Sequence, residues 1–279
     1  MNLAGYFQRI AAEFPAQSKP APNLETLQLL IRRHTQTIAF ENLNSLMRLP
    51  VPLDLDALEE KLVRRRRGGY CFEQNGLFAA VLGQIGFTVK QLSARVVWGQ
   101  TDASSLRFPR THMVLLVSLG DDGYLCDVGF GGITPTGALR IDTEASQATP
   151  HETFRFRHSD GLFTLQALVS DQWHDVYVFD LQAQSSVDYE MANHYVCTWP
   201  RSHFRHTLIA ARALDGGRIH LRNRLLTTFS NDGQREKQEL HGAHEFAAVL
   251  ESQFGVVVPD FPTFERALAT HIEGDDLTR

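Results

Sequence analysis

Cysteine is scarce in this 279-residue chain, with Cys71, Cys126 and Cys197 the only three. The number is odd and no two stand in CxxC spacing, so neither a disulfide framework nor a zinc ribbon is supported. A reduced cytoplasm is the expected compartment. Long apolar runs are also missing. Residues 113–117 are typical of the short ones, against the roughly 18–20 needed to span a bilayer. Residues 1–14 lack the basic start and apolar run of a secretory signal, because Arg9 and Glu13 interrupt them. A basic excess is missing too. The 27 Lys+Arg against 32 Asp+Glu leave a net charge of −5, which argues against general nucleic-acid binding. What is present is a globular balance of 43% hydrophobic and 21% charged residues. The length suffices to bury a core without staples.

The periodicity changes along the chain. Up to about residue 88 it is helical. Asn23 is placed to cap a helix on which Leu24, Leu27, Leu30, Ile31 and His34 share a face. Asp56 and Glu59 have the spacing of a capping box, with Leu58 and Leu62 continuing the apolar stripe. After Gly68-Gly69, a third helix carries Cys71, Gln74, Asn75, Phe78, Val81, Leu82 and Ile85 on one face and ends at Gly86. From there the chain reads as short strands over 88–98, 113–119, 124–128, 153–156, 163–167 and 173–179. Gly120-Asp121-Asp122-Gly123 is a hairpin signal, and the succession suggests a β-barrel or sandwich. The last 80 or so residues are mixed. They hold a second hairpin around Asp215-Gly216-Gly217, then helices near 244–253 and 262–270. The pattern divides the chain at about 88 and 200.

The segment Arg64-Arg65-Arg66-Arg67-Gly68-Gly69-Tyr70-Cys71 points to chemistry. Two glycines break the chain and a cysteine then opens a helix. A helix N-terminus and neighbouring arginines both favour thiolate over thiol, and the thiolate is the attacking form. A cysteine nucleophile needs a base, and a base needs an orienting group. His112 stands at the start of one strand and Asp127 near the end of the next. An even-length hairpin loop puts both on one face. A loop over 118–121 sets them directly opposite each other. A loop over 120–123, which the turn signal favours, sets His112 opposite Gly131 with Asp127 about 13 Å along the strand. Contact therefore needs the first register, a bulge or a different strand pairing, and the sequence leaves these open. Bland readings stand beside these. A lone cysteine is commonly a small buried hydrophobe. Cys126, on the opposite face from Asp127, and Cys197 read as structural, and an arginine run is commonly a solvated helix end. The histidines show no HExxH-like spacing, so no metal site is expected. Glu41, between apolar neighbours, suggests a buried salt bridge with Arg67. Asp127-Val128-Gly129-Phe130-Gly131-Gly132 is not a dinucleotide fingerprint, because Thr134 stands where a third glycine is required. It suits close backbone approach to a ligand.

In order along the chain stand HTQTIAFENL (34–43), RGGYCFEQN (67–75), HMVLLV (112–117), DVGFG (127–131) and NHYVCTWPRSHF (193–204). On these motifs the sequence resembles the arylamine N-acetyltransferases in their bacterial form. Ala39 stands where the family pattern has proline, and Cys197 where it has serine. The resemblance implies an α+β fold with a cysteine-protease-like (papain- or transglutaminase-like) core. It would comprise an N-terminal helical bundle over 1–88, a central antiparallel β-barrel over 89–200 and a C-terminal α/β lid over 201–279. It further implies a Cys71, His112, Asp127 triad and acetyl-CoA as acyl donor. Acceptors would be arylamines or arylhydrazines, with O-acetylation of N-hydroxyarylamines as an associated reaction, through an acetyl-cysteine intermediate. Phe130 and Phe204 are the expected acceptor walls, with Trp98 near the coenzyme A entrance. The backbone at Gly129 and Gly131 is expected to accommodate pantetheine or the acyl oxygen, and Glu41 and Arg67 to support the site. Three other readings remain at this point: an amide synthase on the same fold, a transglutaminase- or papain-like thiol hydrolase, and a non-catalytic aromatic-ligand or coenzyme A binder.

Overall fold

The structure is a computed structural model and describes residues 1–14, 19–100 and 107–272. Its N-terminal part holds helices α1 (Leu3–Arg9), α2 (Leu24–Thr37), α3 (Leu43–Leu46), α4 (Leu55–Leu58) and α5 (Cys71–Ile85), with strand β1 (Phe40–Glu41) between α2 and α3. Asn23 caps α2 by accepting the Thr26 N–H. The cap of α4 is Asp54, which accepts the Ala57 N–H, and not Asp56 as the spacing suggested. Asp56 and Glu59 fall inside the helix because α4 runs on into a π-helical segment, Glu59–Arg64. Gly86 ends α5 in the left-handed region, at φ 110°, which a side chain would strain.

Eight antiparallel strands follow: β2 (Thr88–Val96), β3 (His112–Leu119), β4 (Asp122–Cys126), β5 (Leu139–Arg140), β6 (Gln147–Ala148), β7 (Thr153–Ser159), β8 (Leu162–Val169) and β9 (Gln172–Phe179). They form a nearly closed barrel in the order β5-β4-β3-β2-β9-β8-β7-β6. Its interior is filled by Leu92, Val114, Phe154, Phe156, Leu165 and Tyr177. The opposite face of β3, through Met113, Leu115 and Val117, packs with Phe72, Phe78 and Val81 of α5. The alternation of β3 therefore serves two cores and joins helix to barrel.

Helix α6 (Ser186–Thr198) lies within the span read as strand-rich. Its weak amphipathicity hid it: Val187, Met191 and Tyr195 face outward while Tyr189, Asn193 and Val196 face inward. After a 3-10 turn at His203–Arg205 come β10 (Ile209–Leu214), β11 (Gly217–Arg222), β12 (Leu225–Ser230), β13 (Arg235–Glu239), α7 (Gly242–Phe254) and α8 (Phe261–His271). The sheet order is β1-β10-β11-β12-β13, so the N-terminal part supplies an edge strand to the C-terminal sheet. A third core seals that junction, with Ala39, Leu43 and Leu46 packed among Phe246, Phe254, Phe264 and Leu268.

A buried polar column braces the helices. Tyr6 donates its O–H to His34 Nδ1 (2.8 Å), and His34 Nε2–H donates to Gln74 Oε1 (2.6 Å). With one nitrogen accepting and the other donating, the ring must be neutral. Burial lowers the His34 pKa to about 4, although the Gln74 bond opposes the shift. The unfolded chain therefore binds more protons than the folded one between pH 6.5 and 4. Stability should fall as pH drops through that window, by about 3 kcal/mol from this residue alone. Urea unfolding of wild type and His34→Gln across pH 7 to 4.5 checks this. The variant should start less stable and lose less on acidification, and equal slopes would rule His34 out.

Candidate active site

Cys71 is the first residue of α5, behind an extended Tyr70. The double glycine before it is pressed onto β1. A methyl carbon at Gly68 would sit 2.0 Å from the Ala39 carbonyl oxygen. The backbones of Ala39, Glu41 and Gly69 are hydrogen-bonded, and Gln74 Nε2 donates to both Ala39 O (2.9 Å) and Gly69 O (3.2 Å). Beneath them lies a buried charge layer. Arg67 donates through Nε and Nη2 to Glu41 Oε1 (3.0 and 2.6 Å), and Lys61 Nζ to Glu73 Oε1 (2.6 Å). Burial raises the Glu41 pKa, but the charges of Arg67 and Lys61 outweigh it and hold the carboxyl below its usual range. The expected Glu41–Arg67 pair is therefore present. Three of the four arginines expected to bear on Cys71 are held by carboxylates. Arg64 pairs with Glu59 and Glu60, Arg65 with Glu60, and Arg67 with Glu41. Glutamates of the preceding helical turn and of β1 thus take three of the four arginines, and Arg66 is exposed.

His112 meets Asp127 in neither register that the sequence suggested. The β3–β4 turn is only two residues, Gly120-Asp121, with Leu119 paired to Asp122 and Leu115 to Cys126. Gly120 adopts φ 62° there. Extending this register puts Gly129 opposite His112, and Asp127 lies two positions away on the same face. Such diagonal neighbours are within side-chain reach. His112 Nε2–H donates to Asp127 Oδ2 at 2.7 Å. Asp127 has no solvent exposure, and its Oδ1 accepts from Asn75 Nδ2 (2.9 Å) and the Gly129 N–H (2.9 Å). Burial raises its pKa, but His112 and these donors outweigh it and keep the group ionised. Burial likewise lowers the His112 pKa, yet the Asp127 carboxylate reverses it. A side-chain hydrogen bond and charge from Cys71 add to the rise, so the ring stays charged through neutral pH. Because Nε2 is taken by Asp127, the contact to Cys71 falls to Nδ1. Cys71 Sγ also lies 3.6 Å from the Thr111 carbonyl oxygen.

Thiol and imidazole open onto a cavity of about 1330 Å³. Phe130, Phe204, Gly129, Gly131 and Trp98 all line it. Phe130 stands edge-on to His112 (5.2 Å), while Phe204 leans on Tyr70 (5.5 Å) and Phe40 (6.0 Å). The loop glycines serve packing. A methyl carbon on Gly129 would meet Cys71 Cα at 2.8 Å, and Gly131, at φ 98°, lies against the Phe40 ring. Their amides are already engaged, Gly129 with Asp127 and Gly131 with Thr134 Oγ1 (2.7 Å), so neither N–H faces a ligand.

Two contributors escaped the sequence reading. Asn75 reads in the sequence only as part of a helix face. It donates to Met113 O (2.8 Å) as well as to Asp127, and accepts the Val128 N–H (3.0 Å). The adjacent carboxamides Gln74 and Asn75 on a buried face were the signal available. Tyr177 is fully buried against His112 (5.1 Å) and Phe130 (5.5 Å). Its strand carries no mark that separates it from core.

A thiol beside a charged imidazole, with a buried carboxylate behind, can attack an acyl carbon and relay a proton. Comparison with known proteins agrees on one family. A profile described as N-acetyltransferase matches residues 23–262. An arylamine N-acetyltransferase of Escherichia coli is 42% identical over 259 residues, 92% of this chain and 90% of that one. One of Mycobacterium tuberculosis is 42% identical over 277 residues, 98% and 95% of the two chains. The Mycobacterium marinum arylamine N-acetyltransferase, solved in complex with CoA, superposes with a TM-score of 0.90 at 39% identity, covering 97% of this chain and 99% of that one. The chain thus belongs to the arylamine N-acetyltransferase family and carries its cysteine-protease-like α+β fold.

Proposed function

We propose that Cys71 carries the acetyl group between acetyl-CoA and an arylamine or arylhydrazine, with His112 moving the protons and Asp127 orienting and charging His112. The observation that carries this reading is the buried Asp127–His112 bond, with the thiol on the ring's other side at the cavity wall. Family membership makes acetyl-CoA the donor and an arylamine the acceptor. The amide synthase, hydrolase and non-catalytic readings are not favoured.

In the first half-reaction the Cys71 thiolate attacks the thioester carbonyl. The carbon–sulfur bond to coenzyme A breaks and its thiolate takes the proton from imidazolium His112. One thioester replaces another, so little driving force is needed. The Glu73 and Gln74 N–H groups donate to the Tyr70 carbonyl, which leaves the Cys71 and Phe72 amides at the start of α5 to face the tetrahedral oxyanion. In the second half-reaction the amine lone pair attacks acetyl-Cys71. Neutral His112 takes the amine proton, and the Cys71 thiolate leaves. An aromatic amine is weakly basic and largely unprotonated at neutral pH, so it arrives ready to attack. Phe130 and Phe204 offer it ring faces, and Trp98 lines the way in. No helix among the described residues is long and apolar enough to cross a membrane. A reducing cytoplasm suits an enzyme that depends on a free thiol.

Brief exposure to acetyl-CoA without acceptor should add one acetyl group to Cys71 by intact and peptide mass spectrometry. Adding an arylamine should remove it, and Cys71→Ser should show none. Acetyl-CoA consumption that ignores the amine would instead indicate a hydrolase. Asp127→Asn should lower the acetylation rate on the order of 10³–10⁴-fold. The carboxamide oxygen can keep the Asn75 and Gly129 bonds, so circular dichroism should show a folded chain. Its NH₂ forces His112 to accept at Nε2 and turn a proton toward Cys71. Near-normal acetylation by the folded variant would remove Asp127 from the mechanism.

A further inference from the structure

The cavity's charge runs against that of the whole chain. Overall the chain carries −5, yet the described cavity lining holds Arg201, Arg218, Arg222 and Arg235 against one carboxylate, Glu152. Arg218 and Glu152 cancel, because the guanidinium donates through Nε (2.6 Å) and Nη2 to both carboxylate oxygens. Arg235 lies over the Phe229 ring at 5.4 Å and reaches Ser170 Oγ. Arg201 and Arg222 have no carboxylate partner among the described residues.

Both line the cavity and both approach His203, Arg222 through its charge and Arg201 along the chain. Along β11, Arg218, His220 and Arg222 line the cavity, while Ile219 and Leu221 pack in the C-terminal core, with Leu221 also touching the cavity wall. Arg222 is paired with Ile209 of β10, one strand from Phe40. It acts on His203, whose pKa is lowered by burial and then by the Arg222 charge. Arg201, two residues before His203, lies over the Trp199 ring at 5.5 Å. Trp199 stacks on Tyr195 at 5.8 Å and 16°, and both are about 40% exposed. One unpaired guanidinium thus lies over an open aromatic face, and a second lines the same cavity near His203. Guanidinium suits phosphate and carboxylate because its fork matches their oxygens.

We propose that Arg201 and Arg222 form an anion subsite at the α6 mouth, holding a phosphate or carboxylate of a cosubstrate whose ring system lies against Trp199. The inference rests on the acetyltransferase reading, which offers two sources. One is the nucleotide phosphates of acetyl-CoA, and the other is the carboxylate of an acidic arylamine.

The two half-reactions separate the sources. Cys71 acetylation is timed with acetyl-CoA and with acetyl-pantetheine, which lacks the nucleotide. Deacetylation is timed with 4-aminobenzoate and with its neutral ethyl ester. Wild type is compared with R201Q, R222Q and the double variant. Loss of roughly tenfold or more in kcat/KM, the size of one charge-assisted bond, is expected for the charged member of one pair only. A loss confined to acetyl-CoA assigns the subsite to phosphate, and one confined to aminobenzoate assigns it to carboxylate. Equal effects on charged and neutral members, or none, overturn the subsite. Acetyl-pantetheine and the ester report the Cys71 chemistry separately, so failure of wild type with both would indict the acetyltransferase reading instead.

Discussion

A carboxylate without access to water must have its lone pairs met inside the protein, and Asp127 is such a group. Its three partners in this task come from distant places. His112 belongs to the barrel's β3, Asn75 to α5 and Gly129 to the loop beyond β4, while the Val128 N–H returns to Asn75. A shift of α5 along the barrel by even one residue would strand a buried charge, at a cost of several kcal/mol. One requirement therefore fixes both the docking of helix on barrel and the distance between thiol and imidazole. Gly129 completes the fit, since only a residue without Cβ lets the loop lie on Cys71 Cα.

The charge layer under Gly68-Gly69 does similar work one level down. Glu41 accepts from Arg67 and from the Leu43 N–H (2.7 Å), while Glu73 accepts from Lys61 and the Tyr70 N–H (3.1 Å). Glu73 closes the start of α5 and Glu41 closes the start of α3. Burial raises the Glu73 pKa, with Lys61 opposing, so that carboxyl depends on the lysine to stay charged. These bonds hold the turn before Cys71 from below, and β1 carries the same constraint into the C-terminal sheet. The sheet that forms one cavity wall is thus tied by register to the loop that presents the sulfur.

Much of this was legible in the residues, and what was not has physical causes. The helix opened by Cys71 and ended by Gly86 is written in a long apolar face and two glycines. The Glu41–Arg67 pair is written in an acid set among apolar neighbours. The His112–Asp127 contact was legible as a shared face, but its register was not. Gly120-Asp121-Asp122-Gly123 offers several turns, and only packing chooses the two-residue one. Helix α6 escaped because its outward face carries Val187, Met191 and Tyr195 and so lacks a polar stripe. Charge counted along the arginine run takes no account of the carboxylates that hold three of its members, one helical turn back and on β1. Family motifs carried the remaining assignment of roles, which no periodicity contains.

Asp127 also explains why one of two adjacent cysteines suits the chemistry. Cys126 precedes it in the chain but points to the other side of β4, into the packing beneath α5. There burial pushes its thiol pKa up, and the fixed Asp127 charge pushes it further. The same carboxylate reaches Cys71 only through His112, which converts a repelling negative charge into an adjoining positive one. Beyond the proton transfer proposed for it, the imidazole inverts the sign of the field that the buried acid projects toward sulfur. A thiol on the wrong side of the strand receives the charge uninverted and stays protonated. Selectivity among the cysteines follows from the strand's two-residue alternation, the same alternation that sets β3 between two cores.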